Sequence, residues 1–123
     1  MFSPSHIELS QSALKENVRF LKEYIGDDVV FCSVVKGNAY GHGIEKFIPM
    51  AEECGIRHFA VFSADEARLA CEAANHSDSH VMIMGMIGNP EIAWAIEKDV
   101  SFFVFEFDRL QAAADQARKL EKP

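Results

Sequence analysis

An α/β fold built from parallel strand–helix units is what this sequence predicts, and three observations lead there. Short apolar runs alternate with amphipathic stretches four times along the chain. The first of these runs is β-branched and apolar on both alternating faces, the pattern of a strand covered on both sides. Capping and stop residues punctuate the stretches between the runs. Such alternation requires a parallel sheet with right-handed crossovers and leaves two architectures open, a doubly wound sheet or part of an eight-fold barrel. A complete barrel takes roughly 250 residues, so four units within 123 residues could form only half of one.

The elements follow in order. A first helix opens behind Ser10 as N-cap, carries Leu14, Val18, Leu21 and Ile25 at spacings of three or four, and stops at Gly26. Residues 29–36, VVFCSVVK, form the first strand, with Lys36 at its carboxyl end. After the loop GNAYGHG come a helix around IEKFIPMAEECG, the short strand HFAVF, and the helix ADEARLACEAA. That last helix begins behind Ser63, with Glu66 completing a capping box. A third strand, HVMIMGM, precedes the helix PEIAWAIEKD, whose Pro90 suits the first helical position. A fourth, SFFVFEF, precedes DRLQAAADQARKL. No linker or low-complexity tract interrupts the series, so residues 1–123 are read as one domain, incomplete if it is a barrel.

Composition removes several function classes. The balance of 49% hydrophobic and 25% charged residues is that of a globular chain. A net charge of −7 gives no electrostatic attraction to nucleic acid or anionic lipid. Cys32, Cys54 and Cys71 lie in apolar segments without CxxC spacing and are read as reduced core thiols. The opening MFSPSHIELS has no basic stretch followed by an apolar run, and no apolar segment reaches the roughly 18 residues of a membrane span. A soluble cytoplasmic protein is expected.

The stretch that carries chemistry is VVKGNAYGHG, residues 34–43, where a lysine ends a strand and a loop with three glycines follows. Ligands bind at the carboxyl ends of parallel strands, so Lys36 holds the functional position of its strand. An apolar setting there favours the neutral amine, the form that attacks a carbonyl to make an imine. Position alone leaves an equally good alternative, a lysine that snorkels to the rim beside a tight glycine turn.

The string closely resembles the VVKANAYGHG signature of the alanine racemase family, which uses pyridoxal phosphate (PLP). HIELSQSALKENVRFLK, FAVFSADEARLA and HVMIMGMI extend the resemblance over essentially the whole chain. The resemblance implies the first half of a PLP-binding (β/α)8 barrel, with Lys36 carrying the cofactor and Tyr40 contacting its phosphate. Val34 and Met84 would lie near the cofactor ring, although an apolar residue at a strand end is more often simple packing. Gly37 replaces the usual alanine, a small-for-small exchange expected to loosen the backbone slightly.

The implied activity is amino-acid racemisation, with alanine the default substrate and Lys36 one of two bases. The second base, a tyrosine of the partner subunit in a homodimer, lies beyond Pro123 in the family pattern. So do the remaining phosphate-site residues and the arginine facing the pyridine nitrogen. The chain is therefore expected to be incomplete, inactive alone, and prone to associate through its open edges. Other PLP barrels (amino-acid decarboxylases, non-catalytic PLP-binding proteins) and a cofactor-free structural half-barrel are the alternatives.

The other polar groups suggest less. Asn38 and His42 are read as organising the loop. Cys71, His76, Asp78 and His80 match no metal-ligand spacing, and a polar NHSDSH loop explains them, so no metal is expected. Glu52-Glu53 and Glu106-Asp108 are read as solvated surface. No GxGxxG or GxxxxGK[ST] fingerprint of nucleotide binding occurs.

Overall fold

The computed structural model describes residues 4–123, so the first three residues of the opening segment lie outside the described residues. Four strands form one parallel sheet in the order β1-β2-β3-β4. The chain runs α1 (Gln11–Ile25), β1 (Cys32–Val34), the short turn α2 (Lys36–Tyr40), α3 (Ile44–Glu53), β2 (His58–Val61) and α4 (Ala64–Ala73), then β3 (His80–Ile83), α5 (Asn89–Glu97), β4 (Ser101–Phe102) and α6 (Phe107–Lys119). Each strand pairs with the next in sequence, as the successive units of a barrel do. The expected parallel strand–helix repeat is what the chain forms. No helix among the described residues is long and apolar enough to cross a membrane.

Local chemistry sets the helix boundaries. The Ser10 side chain accepts from Ala13 N, and Gly26, at φ 85, ends α1 with its N–H on Lys22 O. Ser63 caps α4 by accepting from Glu66 N. Pro90 sits in the first turn of α5, where its missing N–H costs nothing.

The strand alternation divides the sheet into two unlike faces. Phe59, Val61, Val81 and Ile83 point to the helices and are buried with Ile44, Ile48, Ile56 and Ile92 in one core. Each such side chain contributes roughly 1.5–3 kcal/mol through removal from water. The register places Cys32, His58 and His80 in one row of the opposite face, and Val34, Ala60, Met82 and Ser101 in the next. In a barrel built from such units this second face is the lumen side.

The run SFFVFEF is strand only at Ser101 and Phe102, and its last residue, Phe107, opens α6. Four further expectations change here. The run 29–36 is not strand throughout, because the ladder begins at the pair Cys32↔His58, and Val29 and Val30 are exposed ahead of it. Nor is β1 covered on both faces, since Val34 is 39% exposed on the lumen side. Cys32 lies exposed on that same side, while Cys54 and Cys71 are partly buried against the core. All three thiols are free.

The fourth change concerns Glu52, which is not solvated but 2% exposed. Its carboxylate accepts from Asn75 N at 3.0 Å, His76 N at 3.2 Å and Ser79 Oγ at 2.6 Å. Burial alone would raise its pKa, yet these hydrogen bonds and the nearby His76 hold it below the ordinary carboxylate value. The bracket ties the end of α3 to the loop entering β3, at the amino-terminal edge of the sheet. Arg57 reinforces it, donating to Glu52 O at 2.7 Å and pairing with Asp78 at 3.1 Å.

Candidate active site

The carboxyl-terminal edge of the sheet is built differently. β1 ends at Val34, and Val35 N donates to Ala60 O at 2.8 Å, one last bond to the neighbouring strand. The chain then leaves the sheet with Lys36 and turns the wrong way. Gly37, Asn38, Ala39 and Tyr40 all have φ between 54 and 62, a complete turn of left-handed helix. For residues with a Cβ this conformation costs roughly 1–2 kcal/mol each, so the turn persists only because its surroundings impose it.

Those surroundings can be named. Ala39 N donates to Val35 O at 2.8 Å and Gly43 N to Asn38 O at 2.9 Å. The Asn38 side chain accepts from Ile44 N at 2.9 Å and so holds the start of α3. Asn38 is thus the loop organiser its residue type suggested. Ala39 is buried under the turn. Gly37 at φ 62 occupies a left-handed position where any Cβ would be strained, although a Cβ there would meet nothing within 4 Å. The expectation that glycine merely loosens the backbone is incomplete, because here it also removes one unit of strain. His42 is exposed, with its ring 6.4 Å from that of Phe47.

The turn presents Lys36 and Tyr40 together. Lys36 is half-buried and Tyr40 is 65% exposed, and with Phe62 they border an open hollow of about 420 Å³. Val34 and Met84 do not line this hollow. They face the lumen on β1 and just beyond β3, Val34 in the row of Ala60 and Met82, and Met84 one row higher by alternation. The sequence-predicted residues therefore form one pair at the rim and two flanking apolar side chains on the adjoining face.

One polar group at this edge has a position that sequence reasoning missed. Glu66 had the signal of a capping box, and half of that box forms, Glu66 N on Ser63 Oγ at 3.2 Å. Its carboxylate, however, accepts from Gly37 N at 2.6 Å and from Phe62 N at 2.9 Å. Glu66 thus joins the ends of β1 and β2 directly behind Lys36. The histidines considered for a metal lie apart from this rim. His80 stacks on His58 with ring centroids 4.9 Å apart, and His76 receives Arg57 at 3.3 Å. The neighbouring His80 and, more strongly, burial lower the pKa of His58.

With this geometry in view, the similarity to known proteins is informative. Residues 9–123 match the family model of the alanine racemase N-terminal domain. The chain is 33% identical over 108 residues to an alanine racemase of Listeria monocytogenes, and 34% over 112 residues to alanine racemase 1 of Bacillus subtilis. It covers 88% and 91% of its own length in these matches but only 29% and 28% of theirs. Among solved structures, the alanine racemase of Bacillus anthracis with bound L-Ala-P superposes with a TM-score of 0.78 at 31% identity, covering 93% of this chain and 30% of that one. The enzyme from Oenococcus oeni gives 0.77 at 30% identity, over 88% of this chain and 30% of that one. The match to the family model over nearly the whole chain, together with a parallel sheet that superposes on part of these proteins, establishes that the chain belongs to the alanine racemase family, as its N-terminal domain portion.

Proposed function

We propose that this chain is the lysine-bearing part of a PLP-dependent amino-acid racemase, with alanine as the default substrate. The observation that carries the reading is the shared rim of Lys36 and Tyr40, held at the carboxyl edge of a parallel sheet by a strained left-handed turn. Strain of this kind is retained where the geometry it enforces is used. The donor set suits an aldehyde phosphate: a half-buried primary amine for the carbonyl and an exposed phenol for the phosphate.

In this reading Lys36 Nζ holds the cofactor covalently, and the Tyr40 hydroxyl donates to its phosphate. Val34 and Met84 provide apolar walls beside the ring. Bound PLP supplies an electron sink that acidifies the α-hydrogen of an amino acid. Lys36 Nζ, released as a free amine when the amine of the substrate takes its place on the cofactor, would take up or return the proton on one face of the substrate α-carbon, where it already stands. Racemisation needs a second base on the opposite face, and we assign it to a tyrosine of the partner subunit in a homodimer. The arginine for the pyridine nitrogen and further phosphate contacts belong, in the same reading, to the portion of the relatives that this chain does not span. By the same account, this chain alone turns over no substrate.

The test is chemical. Borohydride treatment of the whole protein loaded with PLP should fix the cofactor irreversibly to one lysine, and peptide mapping should find it on Lys36. A label on Lys22, Lys46 or any other lysine refutes the assignment.

A further inference from the structure

We infer that Glu66 is a positioning residue for Lys36: its carboxylate, by clamping Gly37 N and Phe62 N, sets where the strained turn leaves the sheet and so where the lysine amine stands. The inference rests on the reading of Lys36 as the cofactor lysine and goes beyond it, since Glu66 touches neither a ligand nor the amine in any contact described above.

Every hydrogen bond inside the turn runs between residues 35 and 44, so those bonds move with the loop as a unit. The bond from Val35 N to Ala60 O anchors the strand before Lys36, and Glu66 anchors the first amide after it. Lys36 is thus bracketed on both sides by β2 and α4, one bracket being backbone and the other a single carboxylate. At 2.6 Å and 2.9 Å the two bonds to Glu66 are of the short, charge-assisted kind.

No other residue type meets the requirement. Two amide donors from just beyond the ends of β1 and β2 converge on one side chain, and only a carboxylate offers an acceptor oxygen to each without a donor of its own. Glutamine in this place keeps the shape and one acceptor but turns an NH2 group toward the second N–H. One amide is then left unpaired, and the turn, strained by the left-handed Asn38, Ala39 and Tyr40, has a route to relax. A small shift at Lys36 is costly because proton transfer and carbonyl attack depend on near-contact geometry.

The experiment uses the whole PLP-loaded protein and compares Glu66→Gln with Ala70→Gly. Ala70 is fully buried one turn further along α4, so its replacement weakens the same helix without touching the carboxylate. Glu66→Gln should lower kcat by about tenfold to a hundredfold with KM changed less than about threefold. It should also slow borohydride fixation at Lys36 and shift the visible absorption of the bound cofactor. Ala70→Gly should lower the melting temperature while leaving kcat and the spectrum within about twofold of the parent.

Equal losses of kcat in the two variants, or an unchanged kcat in Glu66→Gln, overturn the inference while leaving Lys36 as the cofactor lysine. A parent protein labelled on a different lysine removes the underlying reading instead. Should Glu66→Gln fail to fold, hydrogen exchange in the parent decides. The Gly37 amide is expected to be protected, and exchange at the rate of a free amide overturns the clamp.

Discussion

The two ends of the sheet each use a buried or half-buried glutamate to gather backbone N–H groups, and they do it to opposite effect. At the amino-terminal edge, Glu52 is enclosed, serves two amides and a hydroxyl, and joins elements that all have ordinary backbone geometry. At the carboxyl-terminal edge, Glu66 serves two amides beside an open hollow and braces a turn with successive left-handed residues. The same interaction that adds stability at one edge offsets strain at the other. Parallel barrels divide labour in this way, with stability at the amino ends of the strands and chemistry at the carboxyl ends.

Substitutions at the two edges should therefore separate stability from function. The largest effect is expected for Lys36→Ala. It should abolish borohydride labelling and lower racemisation by at least about 10²–10⁴-fold, with an unfolding midpoint close to that of the parent. A measurable residual label would break the comparison at its functional end.

Glu52→Gln should do the reverse. Two N–H groups and a hydroxyl lose a charged acceptor in a buried site, at a cost of about 3 kcal/mol, read as a fall in the urea midpoint. Its pH dependence sharpens the point. The folded pKa of Glu52 lies below its unfolded value, so its contribution is present above the unfolded carboxylate pKa, about 4.3. That contribution is lost as pH falls through the lower folded value. The parent should accordingly lose more stability than Glu52→Gln on acidification below about pH 4.3.

Tyr40→Phe comes next. Loss of one hydrogen bond to a charged phosphate costs on the order of 1.5–3 kcal/mol, so PLP should be released roughly tenfold more readily while Lys36 remains the labelled residue. Equilibrium dialysis of cofactor against both proteins measures it. Gly37→Ala should be the mildest. Space is available for the methyl group, and only the left-handed strain at φ 62 opposes it, for a loss of about 1–2 kcal/mol read from the unfolding midpoint. A larger loss would mean that the turn tolerates no further strain.

How far the sequence could be read differs between these same regions. The helices, their caps at Ser10 and Ser63, the parallel order and the position of Lys36 after the first strand follow from local periodicity and a contiguous motif. Such signals lie within a few residues of one another, so a linear reading captures them. Glu52 is a failure of the same logic. A glutamate near the end of an amphipathic helix reads as surface, and its three donors come from residues 23 to 27 positions later.

What the sequence by itself determined is the class of the fold, the order of its units and the residue types at the rim. The tertiary structure alone decided which face of the sheet stays open, that residues 37–40 wind left-handed, and that Glu66 reaches across 29 positions to the amide after Lys36. The physical reason is that periodicity reports only which side of an element is apolar. Which strand end meets which carboxylate depends on the register between strands, and that register is settled when the parallel units pack on their common core.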